Sequence, residues 1–310
     1  MLADAKASSS RVACIIPTRN GASELKRLLD SLALQSLSVT PLIVDSSSTD
    51  GTRELVEARG YKVLSIPQEQ FNHGGTRQMM VDRFPDYDIY IFMTQDAYLD
   101  NDQALAELID PFKDSTVGAV CGRQLPHENA SLLARHARLF NYPAKSRVKA
   151  LQDVPELGIK TAFMSNSFAA YRSEALQEVG GFPTYVILGE DVFVAASMLL
   201  SGWKVAYIAE ACCRHSHNYS LIEEWRRYFD IGVFYHRESW INENFGAAGG
   251  EGLRFVRSEL AYLGLRHFYL WPNALLRNAG KLLAYKASHK ERFIPTAIKR
   301  LLSMNRRFWT

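Results

Sequence analysis

Four groups of side chains have types and spacings suited to phosphate, metal or proton chemistry. The first is Asp96, which closes the run Ile89-Tyr90-Ile91-Phe92-Met93-Thr94-Gln95-Asp96. A short apolar run that ends abruptly in polar groups is how a buried parallel strand delivers a carboxylate to the rim of its sheet. In open α/β sheets that rim is where ligands bind, so Asp96 could hold a divalent metal against a phosphate. An Asp there could equally cap a helix starting near Asn101 or mark a turn. The second group is Phe71-Asn72-His73-Gly74-Gly75-Thr76-Arg77, a loop leading into a helix. Its two glycines let backbone approach a ligand and Arg77 suits a diphosphate, against the alternative of a Gly-containing turn with a solvated Arg. The third is Gly189-Glu190-Asp191 ahead of an apolar helix expected over 192–200; two acids at a helix N-terminus are already explained by capping and the helix dipole. The fourth is His215-Ser216-His217, which places two imidazoles on one face of an extended chain, as metal ligands or as structural histidines.

The elements that must position these groups follow from the pattern. Residues 12–16 form a β-branched run stopped by Pro17, and Thr18-Arg19-Asn20-Gly21 opens an amphipathic helix carrying Leu25, Leu28, Leu29 and Leu32 on one face. The unit repeats: residues 42–44 end in Asp45-Ser46-Ser47-Ser48-Thr49-Asp50-Gly51-Thr52, a helix follows to Gly60, and a third strand over 62–66 stops at Pro67. Consecutive parallel strands that end in hydroxyl-rich loops at helix N-termini describe a nucleotide-binding crevice, because backbone N–H groups there favour anions. No GxGxxG follows the first strand and no GxxxxGK[ST] occurs, which removes the main support for dinucleotide-binding and P-loop readings.

Further strands are expected at 117–120, 163–171, 203–208 and 211–215, and a helix over 173–179 closed by Gly180-Gly181. Asn166 and Ser167 stand at the polar point of the 163–171 segment. Residues 128–158 read as a polar, partly helical insertion whose Arg135, Arg138, Lys145, Arg147 and Lys149 contact an anionic acceptor or merely solvate a helix. A flexible link is expected at 246–250. Beyond it the chain turns helical and basic, with Arg277, Lys281, Lys286, Arg292, Arg306 and Arg307 interleaved with Phe268, Tyr269, Trp271, Phe293 and Trp309. That combination suits an anionic membrane surface, an oligomer contact, or a solvated helical bundle. No nucleic-acid motif accompanies it.

The loops 15–20 and 44–52, followed by the Asp96 strand, resemble the amino-terminal half of a family 2 inverting glycosyltransferase. The resemblance implies a GT-A fold: a Rossmann-like α/β domain with a mostly parallel central sheet and flanking helices, expected over 1–245, with a helical basic region over 246–310. It implies that Pro17, Thr18 and Asn20 line the nucleotide base, with Arg19 also in the donor site, that Asp45, with Ser47 and Asp50 on its loop, takes the base or ribose, and that Asp96 is the last acid of a DxD-type metal motif. Glu190-Asp191 is similar to the family's ED motif, which makes Asp191 the base and Glu190 an orienting group, and a histidine after that helix, His215 or His217, completes the metal site. The string 71–77, with Thr94-Gln95-Asp96-Ala97 and the 215–232 stretch, is similar to the bacterial rhamnosyltransferase branch, which adds His73, Gly74, Arg77 and Gln95 to the donor set. Gln78 where Asn is usual, and one acid where two or three are common, depart from that branch.

The expectation is therefore an enzyme that moves L-rhamnose from dTDP-L-rhamnose, with Mg²⁺ or Mn²⁺, to a lipid-linked or polysaccharide acceptor of a bacterial surface glycan. The alternatives are a transferase for a UDP- or GDP-sugar and a non-catalytic nucleotide-sugar binder. Composition fits: 310 residues, 47% apolar, and a net charge of +3 that does not by itself imply nucleic acid. The four cysteines, Cys14, Cys121, Cys212 and Cys213, show no CxxC or framework spacing and read as reduced thiols. With a polar start over residues 1–11 and no uninterrupted apolar span, the expected setting is cytoplasmic, peripheral on the cytoplasmic face of the inner membrane.

Overall fold

The computed structural model describes residues 10–246 and 250–309. The polar start before Ser10 and the middle of the expected link, residues 247–249, lie outside them. The amino-terminal half builds strand–loop–helix units: β1 Val12–Thr18, α1 Ala22–Ala33, β2 Thr40–Asp45, α2 Thr52–Ala58, β3 Val63–Ser65, α3 His73–Arg83 and β4 Ile89–Met93. Next come β5 Tyr98–Leu99, α4 Ala104–Ile109, β6 Val117–Leu125, α5 Leu132–Asn141, β7 Arg147–Lys149, α6 Val154–Leu157, β8 Phe168–Arg172, α7 Ser173–Glu178, α8 Glu190–Leu200 and β9 Lys204–Arg214. Helices complete the chain: α9 Leu221–Arg237, α10 Ser239–Phe245, α11 Glu251–Leu263, α12 Trp271–Ser288 and α13 Thr296–Leu302.

The sheet runs β3-β2-β1-β4-β8-β6-β9-β5, with β7 on β9. It is parallel from β3 to β4, antiparallel where β8 inserts between β4 and β6, and parallel again between β6 and β9. Residues of β1 and β4 alternate between two cores. Ala13, Ile15, Tyr90 and Phe92 pack on one side with α8 and α9, while Cys14, Ile16, Ile91 and Met93 pack on the other with Leu25, Leu28 and Leu29 of α1. A strand apolar on both faces must be covered on both, and this is what holds the rims of β1, β2 and β4 at one level.

Three expectations change. The strand expected over 163–171 begins only at Phe168; the strand expected over 117–120 continues to Leu125; and the pair expected around residues 203–215 is one strand, β9. A register shift at Gly122/Arg123 lets β9 continue past Ala209-Glu210, and it brings Gln124 opposite Cys213 and Leu125 opposite Arg214. Within β9 the adjacent Cys212 and Cys213 face opposite ways, the second fully buried.

Of the carboxy-terminal helices, α10, α12 and α13 lie against α9, and α11 packs on α5 and α12. At the crossing with α12 a Cβ on Gly232 would sit 2.0 Å from the Ser288 hydroxyl and 2.9 Å from the Tyr285 carbonyl, so only glycine permits this approach. After α13 the chain returns to the sheet rim. Met304 N and Asn305 N donate to Asp230 Oδ2 of α9 at 3.0 and 3.1 Å, and Trp309 is buried beside Phe229 with Lys299 4.8 Å above its ring.

Candidate active site

Two adjoining cavities of about 640 Å³ each open at the carboxyl ends of the parallel strands, and His73, Arg77, Thr94, Met304 and Asn305 line both. Pro17, Thr18, Arg19, Ser46 and Gln95 wall the first. Its loops are fixed by side chain to backbone bonds. Gln95 clamps Arg19 by accepting from its N–H at 2.7 Å and donating to its carbonyl at 2.9 Å. Asn20 N donates to Ser48 Oγ, and Asn20 Oδ1 accepts from Thr49 N at 2.8 Å. Asn20 and Ser47 hold positive φ, 45° and 60°, a strain that clusters at functional loops. Asp45 is buried and accepts from the Thr18 hydroxyl and from Ser48 N. Asp50 is an end group for two helices, accepting from Ala22 N and from Thr52 N. Asn20, Asp45, Ser47, Asp50 and Gly74 thus shape the rim while lining neither cavity. Gly74 has a packing reason: its Cβ would lie 1.9 Å from the Pro183 carbonyl.

Asp96, Glu190, Asp191, His215 and His217 all face the second cavity. Asp96 caps no helix, since α4 starts later, at Ala104. Its Oδ2 lies 3.3 Å from His215 Nε2 and 3.8 Å from His217 Nδ1, and the three ligand atoms fall within 4.8 Å of one another. Burial pushes the Asp96 carboxyl up, but when the two imidazoles are protonated the His215 hydrogen bond and their charges hold it well below the usual carboxylate range. Burial, then His215, lowers His217 to about 4, so it is a neutral imidazole near neutral pH.

The tautomer of His215 follows from its neighbours. Arg138, which only donates, gives Nη1–H to Gln124 Oε1 at 2.7 Å, while Gln124 Nε2 donates to Ser165 Oγ at 2.8 Å. Gln124 Oε1 is therefore an acceptor, and His215 Nδ1, 2.9 Å away, carries the proton. In the neutral ring, Nε2 then points a lone pair at the Asp96 carboxylate. Two lone pairs facing each other call for a cation between them, and a ligating imidazole that donates its other N–H to a fixed acceptor is the usual arrangement around a metal. The donor set fits a divalent ion.

Glu190 and Asp191 sit on the first turn of α8 and are tied together by Asn166. Asn166 N donates to Asp191 Oδ2 at 3.1 Å, its Nδ2 to Glu190 Oε1 at 3.1 Å, and its Oδ1 accepts from the Tyr171 hydroxyl at 2.7 Å. Glu190 also pairs with Arg77 at 3.0 Å, both side chains being buried. Burial would raise Glu190, yet the charges of Arg77 and His73 hold it below the usual range. Asp191 goes the other way: burial, then the Glu190 charge, pushes it up to about 6. Arg77 spends one nitrogen on Glu190 and the His73 carbonyl, and its buried Nε–H meets no partner among the described residues.

The structure thus brings together the residues around Thr18, His73, Asp96, Glu190 and His215. Sequence reading did not single out Gln124, and left Arg138 undecided between solvent and acceptor. It placed the 304–307 segment away from the site. Only Arg138 carried a signal, as one cation among several on a helical insertion.

The model of the family described as "Glycosyl transferase family 2" matches residues 13–180. The chain belongs to glycosyltransferase family 2. The matched stretch contains the loops over 15–20 and 44–52, Arg77, Asp96, Gln124 and Asn166, and ends ahead of the Glu190-Asp191 pair. More similar relatives span the whole site. This glycosyltransferase is 47% identical to the O-antigen chain rhamnosyltransferase RfbN of Salmonella typhimurium, over 96% of each chain. It is 48% identical to the O-antigen chain rhamnosyltransferase WbaN of Salmonella anatum, over 86% of this chain and 85% of that one. Among solved structures it is similar to a mannosyltransferase of Pyrobaculum calidifontis in complex with GDP-Man and Mn²⁺, with TM-score 0.63 and 19% identity over 92% of this chain and 87% of the other. At that identity the likeness speaks for the fold, which is GT-A.

Proposed function

We propose that this glycosyltransferase moves L-rhamnose from dTDP-L-rhamnose to a polysaccharide or lipid-linked acceptor of O-antigen synthesis, with inversion at the anomeric carbon. One observation carries the reading: a carboxylate with a raised pKa, Asp191, faces the same cavity as the Asp96, His215 and His217 cluster. The acceptor sugar lies in the second cavity against Tyr142, Phe163, Phe234 and Tyr235. Asp191 takes the proton of the acceptor hydroxyl as that oxygen bonds to the anomeric carbon. The bond from that carbon to the diphosphate breaks on the opposite face, and the nucleoside diphosphate leaves with the electron pair. Glu190 positions Arg77, whose side chain lines both cavities where they meet and offers its charge to an anion there. Gln124 and Arg138 set the His215 tautomer. Asp96, His215 and His217 would hold a divalent ion, which supplies charge neutralisation for the departing diphosphate. Two imidazoles among three protein ligands favour Mn²⁺ over the oxygen-seeking Mg²⁺.

The protein works at the cytoplasmic face of the inner membrane, attached from outside the bilayer. No described helix is long and apolar enough to cross a membrane. Support for surface attachment is the exposed apolar set Leu265, Phe268, Tyr269 and Leu276 on a basic carboxy-terminal region. The division at 245/246 is one of task, with chemistry on the amino-terminal side and attachment on the other, except that residues 304–308 return to the cavities. The test is turnover of purified protein with dTDP-, UDP- and GDP-sugars and a rhamnose-accepting glycan. Preference for dTDP-rhamnose is expected; preference for a UDP- or GDP-sugar would remove the rhamnose assignment, and donor binding without turnover would make the chain a binder.

A further inference from the structure

The carboxy-terminal segment lies outside the matched family region and, by sequence alone, belongs with a membrane-facing basic surface. The fold puts it elsewhere. Residues 304–308 wall the first cavity together with Thr18, Arg19 and Gln95. The segment is pinned at both ends. At one end the fully buried Asp230 accepts from Met304 N, Asn305 N and Asn305 Nδ2, at 3.0, 3.1 and 3.1 Å. At the other, Trp309 is 5% exposed, with the Arg237 and Lys299 cations 5.2 and 4.8 Å from its ring. Between these anchors stand Arg306, Arg307 and Phe308. Both arginines are exposed, line the first cavity, and have no carboxylate within ion-pairing distance among the described residues. Glu69 is the one acidic side chain on that cavity's wall, against Arg19, Arg77, Arg306 and Arg307. Arg77 is paired with Glu190, but the charges of Arg306 and Arg307 have no carboxylate partner among the described residues, and an oxyanion ligand would supply one.

We propose that Arg306 and Arg307 bind the diphosphate of the sugar nucleotide, so that the tail forms part of the donor site. This rests on the reading of the first cavity as the nucleotide site. Guanidinium groups held on a strap fixed at both ends meet the phosphate oxygens with little ordering cost, and charge-assisted hydrogen bonds of this kind are the strong ones. They also hold negative charge as the diphosphate departs. Anionic lipid headgroups share this phosphate chemistry, so the test separates the two sources.

Full-length wild type, the double variant R306Q/R307Q and the control R300Q, an exposed arginine of α13 that lines neither cavity, are titrated with dTDP, UDP and GDP and, by competition, with the matching nucleoside. Each is also sedimented with anionic vesicles. The double variant is expected to bind the preferred nucleoside diphosphate at least about tenfold more weakly, with nucleoside affinity, R300Q and vesicle partitioning unchanged. Equal diphosphate affinity in wild type and double variant overturns the proposal while the site reading stands. Loss of vesicle binding with diphosphate affinity intact also overturns it, and assigns the arginines to lipid. Wild type that binds no nucleoside diphosphate removes both readings together.

Discussion

Replacement of Asp191 by Asn separates a transferase from a binder, and its energetics can be worked from the contacts. The carboxylate is raised from 3.8 to about 6, by burial and by Glu190. Ionising it in the fold therefore costs on the order of 3 kcal/mol relative to water at about 1.4 kcal/mol per pKa unit. The sign follows from proton counting: between about pH 4 and 6 the native state keeps a proton that the unfolded chain has released, so this group makes stability fall as pH rises through that window. Asn removes that penalty. It also removes an acceptor, because Asp191 takes Val192 N at 2.9 Å on Oδ1 and Asn166 N at 3.1 Å on Oδ2, and an amide has one oxygen. A buried N–H left without a partner costs roughly 1–3 kcal/mol, so the two changes offset and the variant should unfold within about 1–2 kcal/mol of wild type. Its chemistry should not survive so well. General base catalysis contributes about 10²–10⁴ in rate, and transfer should fall by at least the lower figure while donor affinity holds.

The assay is radiolabelled sugar transfer across pH 4.5 to 8, with urea denaturation at pH 7. In wild type the rate should drop about tenfold per unit below pH 6, as the fraction of ionised Asp191 falls. The variant should lack that limb. A variant that folds, binds donor and transfers within a few-fold of wild type, or one that keeps the acid limb, would refute the assignment.

Three further outcomes are expected. Gln124→Leu removes the acceptor that fixes His215 Nδ1–H, and metal affinity should weaken roughly 10–100-fold, read by titrating Mn²⁺ against activity and against intrinsic fluorescence; unchanged metal dependence would mean the tautomer is set otherwise. Gly74→Ala drives a Cβ to 1.9 Å from the Pro183 carbonyl, and a loss of roughly 1–3 kcal/mol in urea unfolding is expected, with full stability counting against the tight approach of α3. Phe268 and Tyr269 are 64% and 63% exposed, and changing both to Ser should release the protein from anionic vesicles, with wild-type binding weakening above about 0.1 M salt; equal partitioning would remove the membrane face.

What the sequence made legible was local. The face of α1 repeats at helical spacing, and all of Leu25, Leu28, Leu29 and Leu32 are buried as the period requires. The doubly apolar β1 and β4 announced a covered sheet, and Asp96 announced its rim. What stayed hidden depends on partners far away in the chain. Gln124 reads as the end of a strand leaving the sheet until β9, through its register shift, extends β6 and puts His215 beside it, 91 residues later. Residues 163–167 look like strand by composition, but their backbone bends so that Asn166 can serve both acids of α8. The strap is held by Asp230, 75 residues before Asn305, and no short-range pattern marks such a tether.

The environments of Glu190 and Asp191 explain why adjacent acids take different tasks. Glu190 is buried and Asp191 half-buried on one helical turn, where the dipole favours negative charge equally. The difference is their partners. Glu190 holds Arg77, and that charge keeps it ionised and immobile; a carboxylate so engaged is a poor proton acceptor. Asp191 receives only backbone N–H bonds and feels the fixed charge of Glu190, so its proton affinity rises toward the working pH while one side stays open to the cavity. Two neighbouring carboxylates driven apart in pKa are suited to different tasks, and in the proposed transfer they would serve as an electrostatic anchor and a base. Because Arg77 lines both cavities, the same anchor joins the place where a diphosphate would sit to the place where a hydroxyl loses its proton.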